Sequence, residues 1–141
     1  MALNVCDTNH ELMVEQCIDI LHQSELTCIL MSISESGYPY ATFIKPLCGL
    51  GIDTIYFTID NDAVFVRNFN CNTKGSITYY SKENSVHLIG DVLVISAENL
   101  CQNITDTHLF STIVPSGSVL LKFATHKACI HTGEEEYIMQ M

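Results

Sequence analysis

Hydrophobic positions recur along this chain with two different periods, and the first segment has the period of a helix. Over residues 8–21 the apolar side chains fall on one face of a helix, and they are Met13, Val14, Cys17, Ile18 and Leu21. Thr8 and Glu11 have the spacing of a capping box at its start. The pattern therefore predicts an N-terminal helix over residues 8–22.

Beyond Ser24 the pattern changes to runs of strand length that are separated by turn residues. It predicts six strands, over residues 26–33, 38–46, 54–59, 75–80, 86–94 and 119–125. Residues 128–132 stay open as a further strand, and residues 98–110 stay open as a helix. Gly90, inside the fifth predicted strand, indicates a bulge or a close approach of another backbone.

Two shorter segments complete the prediction. A short helix is expected over residues 63–69, and Asn61 and Asp62 before it are candidate N-caps. The last segment, residues 133–141, begins with glycine and three glutamates, and we expect it to be frayed or docked on a partner chain.

The order of these elements indicates the fold class. Mostly sequential antiparallel strands favour a small barrel over a doubly wound parallel sheet. The sequence has neither a Gly-x-Gly-x-x-Gly fingerprint nor a Gly-Lys-Ser/Thr loop, which argues against a Rossmann domain and a P-loop. We predict a single domain over residues 1–141, mainly β with short helices, whose six antiparallel strands form a closed barrel.

Composition and charge limit the classes of molecule that this protein is expected to bind. The chain has 141 residues, of which 48% are hydrophobic, and a formal net charge of −10. A protein this acidic is repelled by nucleic acids and by anionic membranes, so we expect neither as a partner. Only six side chains are basic, and they are Lys45, Arg67, Lys74, Lys82, Lys122 and Lys127. A bound phosphate must therefore use a few of these together with backbone N–H groups and hydroxyls.

Cysteine and histidine usage bears on location and metals. Seven cysteines occur without a Cys-x-x-Cys pair, which indicates buried thiols in a reducing cytoplasm. No apolar run reaches membrane-helix length, and no secretory signal precedes the helix, so we expect a cytoplasmic protein.

The histidines are not spaced along the sequence as metal ligands usually are, so no metal is expected. No nucleophile–base arrangement is recognisable, and the catalytic residues are therefore unknown.

A candidate phosphate site can be argued from the residues around the short helix. Its start offers free N–H groups and the positive end of a helix dipole. Thr58 and Asn61 add side-chain donors, and Arg67, the only arginine, lies one turn into the helix. The alternative is a surface helix that is capped by Asn61 or Asp62 and has a solvated Arg67. Both interpretations stay open.

Seven aromatic residues lie on neighbouring predicted strands: Tyr38, Tyr40, Phe43, Tyr56, Phe57, Tyr79 and Tyr80. They could form a wall for a flat ring, or the barrel core and a dimer interface, and we expect most to be core. Strand alternation sends Tyr38, Tyr40 and Thr42 to one face and the residues between them to the other.

Several ordered motifs carry a family resemblance over about residues 10–125. They are the strand Cys-Ile-Leu-Met-Ser-Ile at 28–33, Gly-Tyr-Pro-Tyr at 37–40, Ile-Tyr-Phe-Thr at 55–58, Arg-Asn-Phe at 67–69 followed by Asn72, Gly-Ser-Ile-Thr-Tyr at 75–79 and Val-His-Leu-Ile-Gly at 86–90. In this order they resemble the pyridoxamine-phosphate-oxidase-like split barrels, especially the small general-stress and nitroimidazole-resistance-type flavoproteins.

The resemblance implies a split-barrel homodimer that binds flavin mononucleotide (FMN) at the subunit interface. It places Thr58, Asn61 and Asp62 around the phosphate and the second strand along the flavin ring. The cofactor-binding residues that it implies, together with the basic residues nearby, are Ala41, Thr42, Phe43, Ile44, Lys45, Phe57, Thr58, Asn61, Asp62 and Arg67.

The chain departs from the family pattern at the phosphate site. The Ser-x-Lys of the family is absent, because residues 62–65 read Asp-Ala-Val-Phe. Thr42 stands about where the family has a basic residue. The expected function is an FMN-dependent oxidoreductase acting on a small molecule. The alternatives are a split-barrel dimer without cofactor that serves as a binding or structural module, and a haem-binding relative.

Overall fold

The computed structural model describes residues 7–24, 27–47, 51–96 and 114–141. Within them, the helices are α1 (Asp7–Gln23) and α2 (Val64–Cys71). The strands are β1 (Cys28–Ile33), β2 (Pro39–Ile44), β3 (Thr54–Asp60), β4 (Lys74–Ser81), β5 (Asn84–Ile95), β6 (Ser118–Thr132) and β7 (Glu135–Gln140). The helix considered over residues 98–110 lies outside the described residues.

The strands form one antiparallel sheet in the order β2-β1-β4-β5-β6-β3, and β7 also pairs with β6. This confirms the mainly-β class with two helices. The predicted number of strands is wrong, because the described sheet has seven strands and not six. The predicted closure is also wrong, because the sheet is open, with β2 and β3 at the two ends of its path.

The seventh strand comes from the segment that was expected to fray. Gly133 has a φ of 64°, which allows the tight turn between β6 and β7. Met139 on β7 is buried, whereas Glu134 and Glu135 at the start of the segment are exposed. The expectation of a frayed tail is wrong, because residues 135–140 form the strand β7. The run of glutamates at the start of this segment is not typical of a strand, and the prediction therefore missed it. Residues 119–125 and 128–132 are likewise parts of one strand, β6.

The main core lies between α1, α2 and one face of the sheet. Cys17 and Leu21 of α1 are buried against Leu30 and Tyr79 of the sheet. The Tyr79 hydroxyl donates a hydrogen bond to the backbone carbonyl of Cys17, at 2.9 Å. Burial raises the pKa of the Cys17 thiol to about 12. Cys28 is buried in the same way, whereas Cys71 is exposed, so the expectation of buried thiols holds for only part of the set.

A second, smaller core covers part of the opposite face of the sheet. Tyr56, Ile95 and Leu120 are buried together, with Leu47 and Val114 against them. Tyr56 points to this cluster while its neighbour Phe57 points into the main core, as strand alternation requires. β3 is therefore covered on both faces, although its outer edge ends the sheet path.

β5 bends at Gly90, as the sequence indicates. The pairing of β5 with β6 shifts register between Ile89 and Gly90. A Cβ at Gly90 would lie 2.0 Å from the carbonyl oxygen of Ala124. The bulge and the close backbone approach are both confirmed, and they allow β5 and β6 to curve around the core. In the described part of the chain, neither helix is long and apolar enough to cross a membrane.

Candidate functional site

β2 has an unusual exposure for a strand of a packed sheet. Its residues Pro39 to Phe43 are exposed on both faces, and only Ile44 is half-buried. Register with β1 places Tyr40 opposite Ser32 and Thr42 opposite Leu30, both buried. Tyr40 and Thr42 therefore lie on the inner face of the sheet and yet stay exposed, and we call this uncovered part of the inner face at the edge of the sheet the opening.

β2, the strand that the resemblance places along the flavin ring, and β3, which carries Phe57 and Thr58, are the two ends of the sheet path. Among the described strands, β2 pairs only with β1, and β3 pairs only with β6. The chain just after β2 nonetheless meets β3, because the Leu47 N–H donates a hydrogen bond to the Tyr56 carbonyl at 2.8 Å. The two edges therefore converge at one end, and a planar ligand with donors and acceptors could bond to their backbones.

α2 is fixed against this opening by a polar and an aromatic contact. The buried amide of Asn68 donates a hydrogen bond to the Ser32 hydroxyl on β1, at 2.9 Å. The Tyr40 ring meets the Phe65 ring edge-on, with centroids 5.1 Å apart. Phe65 in turn stacks on Phe69. β2 and α2 therefore share one side of the opening.

The start of α2 lacks the side-chain cap that the sequence suggests. Ala63 is the N-cap residue, in extended conformation, and makes no side-chain capping hydrogen bond. Asp62 and Asn61 lie one and two positions too early, respectively, in the turn after β3, and both are exposed. The expectation that one of them caps the helix is wrong. First-turn N–H groups of α2 are consequently not covered by a capping side chain, as an anion requires.

Arg67 lies on the side of α2 that faces the β1–β2 turn. It lines an open cleft of about 360 Å³ together with Ser34, Glu35, Ser36, Val64 and Asn68. Arg67 is exposed there, and Val64, at the position of the missing lysine, lines the same cleft. Of the residues predicted to hold phosphate, Arg67 alone lines this cleft, while Thr58 lies on β3, and Asn61 and Asp62 lie in the turn after it.

The remaining predicted ring contacts divide into two groups. Ala41, Thr42, Phe43 and Lys45 are exposed on or just after β2, where a ligand could reach them. The Phe57 side chain is fully buried in the main core, so only its backbone could line a site. Tyr56, Phe57 and Tyr79 are buried, and Tyr38, Tyr40, Phe43 and Tyr80 are exposed. The expectation that most of these aromatics are core is therefore wrong.

Sequence reasoning missed the polar pair that positions α2. Ser32 and Asn68 are among the few buried polar residues of the described chain. Ser32 occupies a core-facing position of an alternating strand, and Asn68 lies on the apolar face of α2 between Phe65 and Phe69. A hydroxyl and an amide at two such positions are the signal, because buried polar groups need partners.

Other titratable groups lie away from this opening. Asp91 accepts hydrogen bonds from His126 and from the Thr73 hydroxyl, which lower the pKa of its carboxyl. Burial, followed by the nearby His131, lowers the pKa of His87. Among residues 7–24, 27–47, 51–96 and 114–141, no group of three or more His, Cys, Asp or Glu side chains is placed to hold a metal ion.

Comparison with known proteins gives structural relatives only. No protein-family model matches the sequence, and no curated protein matches it. The fold is similar to a protein related to general stress protein 26, of the pyridoxinephosphate oxidase family, from Clostridium acetobutylicum. The TM-score is 0.66 at 14% identity, over 86% of this chain and 89% of the other.

Two further structures extend the likeness. One is a pyridoxamine 5′-phosphate oxidase-related, FMN-binding protein from Nostoc punctiforme, with a TM-score of 0.63, 11% identity and 99% coverage of both chains. The other is a heme-binding protein from Mycobacterium smegmatis, with a TM-score of 0.63 and 15% identity, over 87% of this chain and 56% of the other. The protein therefore has the fold of the pyridoxamine 5′-phosphate oxidase-related split barrels, and the resemblance inferred from its motifs is confirmed at the level of fold.

Proposed function

We propose that this protein binds FMN and uses it in a redox reaction on a small molecule. The observation that carries the proposal is the opening between the edges of β2 and β3, with the uncapped start of α2 after β3. The isoalloxazine ring has donors and acceptors that free strand edges can bind, and the phosphate suits exposed helix N–H groups. A structural relative from Nostoc punctiforme is itself described as FMN-binding.

The residues around the opening fit a flavin ring better than they fit its phosphate. The exposed backbone of β2 and the inward-facing Thr42 leave room for a flat ring beside Tyr40. At the phosphate end, the Arg67 guanidinium lines the cleft beside α2, and the Thr58 hydroxyl on β3 and the exposed Asn61 amide are further side-chain donors. Asp62, in the turn after β3, adds a negative charge that repels a bound phosphate. We therefore expect FMN to bind with less contribution from the phosphate than a lysine-containing site provides.

When bound, the flavin supplies the capacity to accept and donate electrons. The chain itself positions the ring through the backbone of β2 and β3, and neutralises part of the phosphate charge through Arg67. Tyr40, held by its contact with Phe65, limits the access of water to one side of the opening. No side chain at the opening has to act as an acid or a base, and the substrate class stays open beyond a small molecule.

We propose that the protein works as a homodimer. Phe43 is 72% exposed on β2, and Tyr80 is 62% exposed on β4. Phe43 pairs with Ile29 of β1, which pairs with Thr78 of β4, so these strands offer one continuous face turned away from the main core. An apolar face next to an edge strand is the kind of surface that a second copy covers.

A second candidate function is a split barrel without cofactor that serves as a binding or structural module. The observation that favours it lies between β3 and the first turn of α2, where exposed Asp62 and half-buried Val64 stand in place of the family's Ser-x-Lys. Restoring a lysine to this turn separates the two candidates, and the corresponding experiment is described in the Discussion.

The first test is an absorption spectrum of the purified full-length protein, followed by a titration with FMN that is monitored by flavin fluorescence. We expect flavin bands on purification, or quenching of added FMN with micromolar affinity. Riboflavin serves as the matched ligand without phosphate, and we expect it to bind more weakly. Absence of binding at high micromolar FMN would overturn the proposal, and a Soret band would indicate haem instead.

Matched variants of β3 test the phosphate end. Thr58→Val removes one hydroxyl, and we expect FMN affinity to fall about tenfold, the effect of one hydrogen bond to a charged group. Riboflavin affinity should be unaffected. Thr54→Val, at an exposed position at the start of the same strand, is the control and should bind both ligands normally.

Light scattering on the same samples tests the proposed homodimer. It measures the mass of the particle in solution, and a 15.7 kDa particle would contradict the dimer.

A further inference from the structure

A second group of polar side chains lies on the face of the sheet that is turned away from the main core. It consists of His87 on β5, Cys129 and His131 on β6, and Glu136 on β7. Their neighbours Val86, Leu88, Ala128 and Ile130 are buried, so alternation directs these four side chains outward. None of the four lies on β2, β3 or α2, and the group is separate from the flavin site proposed above.

Strand register brings these side chains together. His87 is directly opposite Cys129, and His131 is directly opposite Glu136. Cys129 and His131 are two residues apart on β6 and therefore share one face of that strand. Directly opposed residues have Cβ atoms about 4.5–5.5 Å apart. Two ligands at positions i and i+2 of one strand, with ligands from both adjacent strands, can enclose a small metal ion.

Two separations within this group are somewhat longer than those of a tetrahedral metal site. His131 Nε2 lies 3.9 Å from Glu136 Oε2, and this pair is too long for a hydrogen bond. Two ligands bonded to one Zn²⁺ at about 2.0–2.1 Å lie about 3.3 Å apart. The ring centroids of His87 and His131 are 5.9 Å apart, and two imidazoles on one such ion have centroids about 5 Å apart.

His87 is also oriented as a metal-binding histidine usually is. Its Nδ1 lies 2.9 Å from the Thr78 hydroxyl, on the neighbouring strand β4. Metal-bound histidines generally use one ring nitrogen for the ion and the other for a hydrogen bond that fixes the ring. The bond with Thr78 leaves Nε2 of His87 available as a ligand.

We propose that His87, Cys129, His131 and Glu136 form a binding site for a divalent transition metal of the Zn²⁺ type. As they stand in the described residues, these side chains are not placed to hold a metal ion, and the proposed site forms only when the four partly exposed side chains rotate toward one another. The ligand set selects the ion, because imidazole and thiolate prefer Zn²⁺ over Ca²⁺ or Mg²⁺. Two neutral imidazoles, a thiolate and a carboxylate balance the two positive charges.

The experiment uses the full chain after removal of metals with a chelator. Zn²⁺ is titrated by calorimetry, and Co²⁺ is added as a spectroscopic probe. We expect one equivalent of Zn²⁺ per chain and visible cobalt bands with the intensity of tetrahedral coordination. A thiolate-to-cobalt charge-transfer band should disappear in Cys129→Ser. His87→Ala and His131→Ala should each weaken Zn²⁺ binding by at least tenfold.

His126→Ala is the matched control, because His126 is an exposed histidine of the same strand that pairs with Asp91 instead. It should bind Zn²⁺ as the unaltered protein does. Circular dichroism of each variant checks that it is folded. Absence of stoichiometric Zn²⁺ binding, or binding that is equally strong in the combined His87→Ala, His131→Ala variant, would overturn the proposal. Because the readout is metal binding, the result does not depend on whether FMN binds.

Discussion

The buried Asn68 amide donates a hydrogen bond to the buried Ser32 hydroxyl, at 2.9 Å, and this bond joins α2 to β1. The helix carries the start of the proposed phosphate site, and β1 pairs with the exposed strand β2. The bond therefore holds together the two elements that form one side of the opening.

The first prediction concerns this pair. Asn68→Ala leaves the Ser32 hydroxyl without its partner in the core, and we expect a loss of about 1–3 kcal/mol in the free energy of unfolding. Ser32→Ala should cost a similar amount. Urea unfolding of both single variants and of the double variant measures the coupling between them. If the losses simply add, the two side chains do not interact, and the bond does not position α2.

Gly90 provides a test of the β5 bulge. In Gly90→Ala the new Cβ would lie 2.0 Å from the Ala124 carbonyl oxygen, so the backbones of β5 and β6 must move apart. We expect destabilisation of about 1–3 kcal/mol, as is typical of overpacking. Gly51→Ala is the control, because nothing lies within 4 Å of a Cβ at Gly51. A similar thermal melting temperature for the two variants would contradict the described register.

Val64 is the position at which a lysine should restore the phosphate site. Val64 lines the open cleft beside Arg67, whereas Phe65 is 2% exposed in the main core. We expect Val64→Lys to raise FMN affinity about tenfold through a charge-assisted hydrogen bond, and to leave riboflavin affinity unchanged. Val64→Gln, of similar length without charge, is the control. If Val64→Lys leaves FMN affinity unchanged, the lost lysine does not explain the departure from the family pattern.

The hydrogen bonds of Asp91 should make the free energy of unfolding depend slightly on pH. The hydrogen bond from His126, followed by that from Thr73, lowers the pKa of its carboxyl below the ordinary value of about 3.9. A carboxyl whose pKa is lower in the folded state stabilises the protein at any pH above its ordinary pKa. This stabilisation is lost as the pH falls through the pKa of the folded state. The side chain is 44% exposed, so we expect at most about 1 kcal/mol.

Urea unfolding of Asp91→Asn between pH 3 and 7 measures this contribution. The difference in stability between the unaltered protein and the variant should be constant above about pH 5 and should shrink below about pH 4. Asp19→Asn, at an exposed position of α1, is the control. A difference that grows as the pH falls would contradict the sign of the pKa change.

The sequence predicts most of the elements because their hydrophobic periods are local. The helix over residues 8–22 and the strand at 54–59 agree with α1 and β3 within two residues. The pattern does not reveal that β2 and β3 end the sheet path, because edge position depends on long-range pairing. β7 was missed because only Tyr137 and Met139 signal a strand after three glutamates.

For the candidate sites too, the sequence predicts what is local along the chain and misses what depends on packing between distant residues. Resemblance of motifs places the proposed flavin-binding residues around 41–45 and 58–62, since the motifs follow the chain. It cannot show that Phe57 points into the core or that Ala63 caps α2, because these depend on packing. The proposed metal ligands come from three strands, so no spacing along the sequence identifies them, and only the register of β5, β6 and β7 brings them together.

A crystal structure of the protein grown with FMN tests the central claim most directly. We predict the flavin ring between the edges of β2 and β3, bonded to their backbones, with the phosphate at the start of α2. A ring bound on another face of the sheet, or an opening that stays unoccupied at saturating FMN, would contradict this account.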